Sequence, residues 1–239
     1  MRIAIFSDVH GNLTALEAVL AEIDAHSPDL VLHGGDLAFS GARPAECVDL
    51  IRGLGIEGVF GNADEMLTRP PSMDEFAQAV PGFAHVLPAI RQLAEATAQR
   101  LGTERLDWLA SQPLTCLADR LALVHAGPED CWRSPAHEAE DEELLAQYAC
   151  LGRDLVVYGH VHVPFIRRVG GFTVANSGSV GMPFDGDHRA SWLLVQDGSA
   201  EIRRVEYDLA GELSVVEACG LPQSDWIVRN LRNGRMEMP

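Results

Sequence analysis

The chain has 239 residues with 47% hydrophobic content, enough to bury one large core, and a single domain over residues 1–239 is the expectation. Its 35 acidic residues against 18 basic ones give a formal charge of -17, which argues against a surface for duplex nucleic acid, since that affinity rests on clustered Lys and Arg. Small phosphate-bearing substrates stay open, because bound metal ions supply positive charge locally.

Residues 2–6 read as a buried strand, and Leu13, Leu16, Leu20 and Ile23 follow at helical spacings, with Thr14 and Glu17 offering a capping box. Pro28-Asp29 precedes a short strand Leu30-Val31-Leu32, and Cys47, Val48, Leu50, Ile51 and Leu54 mark a second helix after Pro44. Gly58-Val59-Phe60 completes a βαβαβ rhythm, which predicts right-handed crossovers and a largely parallel sheet. From Asp64 to Gln112 the reading is helical but broken at Pro70-Pro71 and Pro81. Strand signals return at Leu121–Val124 and Leu155–Tyr158, on either side of an acidic helix from Glu138 to Cys150. Gly170-Gly171 and Asp197-Gly198 are hairpin turns between apolar runs, so a second, partly antiparallel sheet is expected. The last twenty residues read as a docked helix or a loose tail.

Cys47, Cys116, Cys131, Cys150 and Cys219 are scattered and form no C-x-x-C pair, so they read as buried thiols of a reducing compartment. The first apolar run is too short for a signal peptide and no later one reaches membrane-spanning length. A soluble cytoplasmic protein with no membrane partner is the expectation.

Chemistry gathers where the strands end. Asp8-Val9-His10 follows the first strand, Gly35-Asp36 the second, Gly61-Asn62 the third, His125 the fourth and Gly159-His160-Val161-His162 the fifth. Ligands of α/β sheets collect beyond the carboxyl ends of strands, so these residues are expected on one rim. On an extended segment residues i and i+2 point the same way, which would let Asp8 with His10, and His160 with His162, each grip one site. Carboxylate and amide oxygens mixed with imidazoles suit manganese, iron, zinc, cobalt or nickel, and the lack of Cys argues against a structural zinc site. Seven such residues are hard to account for as core polar groups, each of which would need its own hydrogen bonds.

With these motifs the sequence resembles the calcineurin-like metallophosphoesterase superfamily, whose pattern D-x-H, G-D, G-N-[HCA]-[DE], H and G-H-x-H occurs in order over the first two thirds of the chain. Ser7–Asn12, Gly34-Gly35-Asp36 and Asn176–Pro183 look like its small prokaryotic branch of single-domain phosphodiesterases, although Ser177 departs from the usual N-P-G-S. The resemblance implies an α/β fold, a four-layer αββα sandwich with two mixed β-sheets. It implies one metal on Asp8, His10, Asp36 and His162 and another on Asp36, Asn62, His125 and His160, with Asp36 bridging and manganese the first candidate. It also implies a hydroxide shared by the two metals as the nucleophile for a small phosphoester, a diester in the first reading. A phosphomonoesterase and a non-catalytic scaffold, the role of a retromer subunit with the same fold, are the alternatives.

Ala63 departs from the many members that place a His after this Asn to stabilise charge or protonate the leaving oxygen. Leaving-group help is therefore expected from metal-bound water or from His33, three residues before Asp36, with Asn62 and Asp36 as the other catalytic residues. Asn176, Ser177 and Ser179 either support the site or form a tight turn. Arg43, Arg133 and Arg189 offer phosphate contacts, against the simpler reading of solvated cations. His26, His85, His137 and His188 have no ligand context, and an exposed edge in the C-terminal hairpins offers pairing between copies.

Overall fold

The computed structural model describes residues 1–239. Arg2–Phe6 forms β1, Leu30–His33 β2 and Glu57–Gly58 β3, paired in parallel and connected by α1 (Leu13–Ala25) and α2 (Pro44–Gly53). A strand covered on both faces has no polar side, which is why β1 reads as an unbroken apolar run. Ile3 and Ile5 point one way and Ala4 and Phe6 the other, each into a separate core. Helix α1 buries Ala15, Leu16, Val19 and Ile23 and is capped by Asn12, whose side chain accepts from the Ala15 N–H at 3.0 Å. The expected Thr14–Glu17 box does not form, since Thr14 lies inside the helix and its hydroxyl instead donates to Glu212 at 2.6 Å.

After β3 come α3 (Asn62–Thr68), α4 (Pro71–Ala79) and α5 (Leu87–Ala110), the last interrupted at Gly102, whose φ of 70° is non-helical. Thr115–Ala118 then forms β4, a partly exposed edge strand that the sequence does not announce, antiparallel to β5 (Leu121–Val124). Leu155–Tyr158 is β6, Phe165–Val169 β7 and Phe172–Asn176 β8, giving a sheet of order β4-β5-β6-β8-β7. The acidic helix α6 is shorter than expected, Asp141–Tyr148, with Asp141, Glu142 and Glu143 in the first turn where the helix dipole favours them.

The second hairpin goes elsewhere than expected. Its strands, β9 (Ala190–Gln196) and β10 (Ser199–Val205), join the first sheet by pairing β9 antiparallel to β1, so that sheet runs β10-β9-β1-β2-β3. Register explains the choice: Leu193 and Val195 fall beside Ile5 and Ile3 on the face turned to the second sheet, while Trp192 and Leu194 join Phe6 and Ala4 on the helix face. The two mixed sheets pack face to face through Ile3, Ile5, Leu32 and Leu193 against Leu121, Leu123, Leu155 and Val157. Outside them lie α6 on one side and the remaining helices on the other, giving the four-layer αββα sandwich. Two closing helices, α7 (Leu209–Ala218) and α8 (Ser224–Asn233), dock on the first sheet's helical layer through Val216, Ile227, Val228 and Leu231. No helix is long and apolar enough to cross a membrane. Of the five free thiols, only Cys47 and Cys131 are buried, and Cys150 is exposed on the turn after α6.

Candidate metal centre

Chain reversals at the strand ends, rather than extended segments, bring the seven residues together. Asp8, His10, Asp36, His160 and His162 all have left-handed backbones, with φ of 57°, 50°, 55°, 68° and 57°. Such a conformation costs an L residue about 1–2 kcal/mol, so five of them in one place mark strain held for function. Backbone hydrogen bonds between the loops hold it: Asp8 N donates to Gly35 O at 3.1 Å, His10 N to Asp36 O at 3.0 Å, and Gly159 N to His125 O at 2.9 Å. Gly61 is required by proximity, because a Cβ there would lie 2.0 Å from an Asp36 carboxylate oxygen.

The hydrogen bonds around the imidazoles fix their tautomers. His10 Nδ1 lies 3.1 Å from Phe39 O, His125 Nδ1 2.7 Å from Gly34 O and His162 Nδ1 2.6 Å from Met182 O. A carbonyl only accepts, so each Nδ1 carries a proton and each Nε2 is the nitrogen turned to the centre, a lone pair whenever the ring is neutral. His10 Nε2 and His162 Nε2 are then 3.1 Å apart, and His162 Nε2 is 3.2 Å from Asp8 Oδ1. On the other side the Asn62 amide oxygen lies 2.9 Å from His125 Nε2 and 2.8 Å from His160 Nδ1. Asp36 Oδ2 stands between the two halves, 3.8 Å from His10 Nε2 and 3.4 Å from His125 Nε2. Two imidazole nitrogens and two carboxylates this close are compatible only with positive charge among them, a proton or a metal ion, and the donor set fits divalent cations. Imidazoles oriented by backbone carbonyls are the usual support of metal-bound histidines.

The electrostatics have the same origin. Burial pushes the Asp36 carboxyl up, but the His125 charge beside it prevails and holds it well below the carboxylate range. Burial pushes His125 down, yet Asp36 raises it to about 10. His160 falls to about 4 through burial and the neighbouring His125 charge, and His10 is lowered by burial and His162. Asp36 and His125 thus form an ion pair at 3.4 Å in the middle of the cluster. Asn62 and His160 are half-buried while the other five are buried, so the centre opens to solvent on that side.

Three residues support the ligand loops, Asn176 and Ser179 from the segment the sequence singled out and Asp64, which it did not. Asp64, two positions after Asn62, accepts from the N–H groups of Asp36, Leu37 and Gly61 at 2.9, 3.1 and 3.1 Å, and burial beside the Asp36 charge raises it to about 7. Its signal was the acidic position closing the G-N-[HCA]-[DE] pattern. Ser179 donates to Asp8 O at 2.7 Å and Asn176 to Gly159 O at 2.6 Å, so the Asn176–Pro183 segment buttresses two ligand loops. Ser177 makes only a 3.4 Å contact with Gly178 O.

His33 is not brought to this cluster. Paired beside Phe6, it faces the helical layer, its ring 6.1 Å from that of Trp108. Neither ring nitrogen has a hydrogen-bond partner, and burial lowers the group to about 4, an effect Gln112 opposes without reaching hydrogen-bond geometry. Arg43 also turns away from the site, into an ion pair with the fully buried Glu212, while Arg133 and Arg189 pair with Asp130 and Asp187.

A carboxylate–imidazole cluster at the common rim of two face-packed sheets defines a candidate metal-dependent hydrolase. The model of the calcineurin-like phosphoesterase superfamily domain matches residues 1–198. The chain is 31% identical over 256 residues to an uncharacterised protein of Methanocaldococcus jannaschii, covering 98% of each. Among solved structures it is similar to a metallophosphoesterase from Sphaerobacter thermophilus, with 32% identity, 98% and 99% coverage of the two chains and a TM-score of 0.78. A hypothetical protein from Pyrococcus horikoshii shares the fold at 17% identity, with 98% of each chain covered and a TM-score of 0.84. The chain belongs to the calcineurin-like phosphoesterase superfamily, and its activity is hydrolysis of phosphoric ester bonds.

Proposed function

We propose that the chain is a phosphodiesterase working with two divalent cations, manganese the first candidate, held by Asp8, His10, Asp36 and His162 and by Asp36, Asn62, His125 and His160. The observation that carries this reading is the 3.1 Å approach of the Nε2 atoms of His10 and His162, both rings held through Nδ1 by backbone carbonyls and flanked by Asp8 and Asp36. When bound, such a pair supplies an acidified water and positive charge for the phosphoryl oxygens. The protein's own part is positional. Asp36 keeps Oδ1 occupied by the Ala63 N–H at 2.8 Å and turns Oδ2 toward both halves of the site. The three Nδ1–carbonyl bonds stop the imidazoles from rotating, and Asp64 fixes the backbone beneath Asp36.

Ala63 supports the preference for diesters with good leaving groups, since it is buried among helix-side apolar residues and offers no acid to the departing oxygen. The test compares hydrolysis of bis(p-nitrophenyl) phosphate with that of p-nitrophenyl phosphate in manganese, with Asp36→Asn as the blank. Faster turnover of the diester, lost in the variant, is the expected result. Preference for the monoester would overturn the diester assignment, and a rate indifferent to leaving-group pKa across aryl diesters would overturn the role given to Ala63.

A further inference from the structure

The protein contains no lysine, and all 18 of its cationic side chains are arginines. In so acidic a chain these find partners readily, whether carboxylates, as in Arg204–Asp185 and Arg229–Glu237, or carbonyls, as in Arg100 with Ala42. Arg235 is the exception: it makes neither an ion pair nor a hydrogen bond, while every other arginine makes at least one. It lies on the wall of a cavity of about 720 Å³ that is also lined by His160, one of the two metal-ligand candidates open to solvent. Val161, Val163, Phe184 and Met236 make much of that wall apolar, with His137 and Ser134 among its polar residues. Asp185 is also there, but its carboxylate is taken by Arg204.

The backbone at Arg235 is anchored on both sides. Gly234 ends α8 in the left-handed conformation, φ 58°, and its carbonyl accepts from Gly186 N at 2.8 Å. Beyond Arg235, Glu237 N donates to Asn230 Oδ1 at 2.8 Å, and Trp226 Nε1 donates to Glu237 O at 2.5 Å. Gly186 belongs to the loop of Phe184, whose ring stacks on that of His162 at 4.3 Å and 12°, and whose N–H donates to His162 O at 3.2 Å. One continuous set of contacts therefore ties the backbone at Arg235 to the loop of His162, while its exposed side chain stays unpaired.

We propose that Arg235 is a specificity-determining residue that holds a second anionic group of the substrate, so that favoured substrates are phosphoesters with an apolar or aromatic body ending in a further phosphate. The cavity adjoins the metal centre through His160, and its 720 Å³ is a volume in the range that takes a drug-sized ligand. The apolar wall suits the body of such a ligand, and a guanidinium free of protein partners has its whole fork available for a phosphate. The proposal rests on the phosphoesterase reading above.

The test uses two chromogenic esters that differ in one group, thymidine 5′-(p-nitrophenyl phosphate) and its 3′-phosphorylated analogue, with the manganese-supplemented full chain. The expected ratio of kcat/KM favours the 3′-phosphorylated ester by about tenfold or more, the effect of one charge-assisted contact. Arg235→Ala should bring that ratio to about one and Arg235→Lys should restore part of it. A wild-type ratio near one, or a ratio that Arg235→Ala leaves unchanged, would overturn the proposal. Calorimetric binding of thymidine 3′,5′-bisphosphate against thymidine 5′-monophosphate gives the same comparison without turnover. If neither ester is cleaved, the phosphoesterase reading fails by itself. A bisphosphate preference erased by Arg235→Ala would still sustain the Arg235 site, and equal affinities would remove it.

Discussion

Replacing His33 with leucine separates a core histidine from a catalytic one. In the folded chain burial holds its imidazole at about 4, against the ordinary 6.5, and neither nitrogen is hydrogen-bonded. A base whose pKa is depressed by folding binds its proton more readily in the unfolded chain. Stability therefore rises with pH across this window: the contribution is fully present above about 6.5 and is lost as pH falls toward about 4. At 1.36 kcal/mol per unit the whole window amounts to about 3 kcal/mol, of which about 2 kcal/mol is lost by pH 5. Leucine carries no proton and leaves no buried nitrogen unpaired, so the variant should lose about 2 kcal/mol less than the wild type between pH 7.5 and pH 5. Urea unfolding midpoints at the two pH values give that difference, and hydrolysis of an aryl diester should stay within about twofold. A variant with the wild-type pH dependence of stability and a tenfold or greater loss of kcat would refute this reasoning and return His33 to the chemistry.

Asp64→Asn should leave at least one of the three N–H groups now bound by the carboxylate without an acceptor, costing about 1–3 kcal/mol in urea unfolding. Because those N–H groups shape the loop of Asp36, manganese affinity measured by calorimetry should fall about tenfold to a hundredfold, and wild-type affinity would contradict the supporting role. Arg43→Met leaves the fully buried Glu212 with the Thr14 hydroxyl but no cationic partner and should cost about 3–5 kcal/mol, largely recovered when Glu212→Leu is added. Hydrolysis by that double variant should be close to normal, and a selective rise in KM would instead place Arg43 at the substrate.

The ligand positions were legible because a polar, metal-competent residue directly after an apolar strand is costly to bury without a partner, and the sheet topology brings those strand ends together. Their backbone conformation was not legible. An Asp-x-His written beside a strand looks like its continuation, and only the loop-to-loop hydrogen bonds of Asp8 and His10 to Gly35 and Asp36 reveal a left-handed turn. Strand β4 is silent in the sequence because a four-residue edge, half-buried along most of its length, carries no alternation of buried and exposed positions. The hairpin β9–β10 is legible but its sheet is not, since membership is decided by the register of Leu193 and Val195 on β1. His33 reads as a neighbour of Asp36 in space because it is one in sequence, whereas the strand's alternation turns it to the helices. Arg235 gives no local signal: its distinction is the absence of a partner, a property of the whole fold.

The most direct test of the metal centre is manganese stoichiometry after equilibrium dialysis of the full chain, read by elemental analysis. Two ions per chain, with both sites weakened in Asp36→Asn, is the predicted result. A wild-type chain that retains one ion or none under saturating manganese would contradict the paired site.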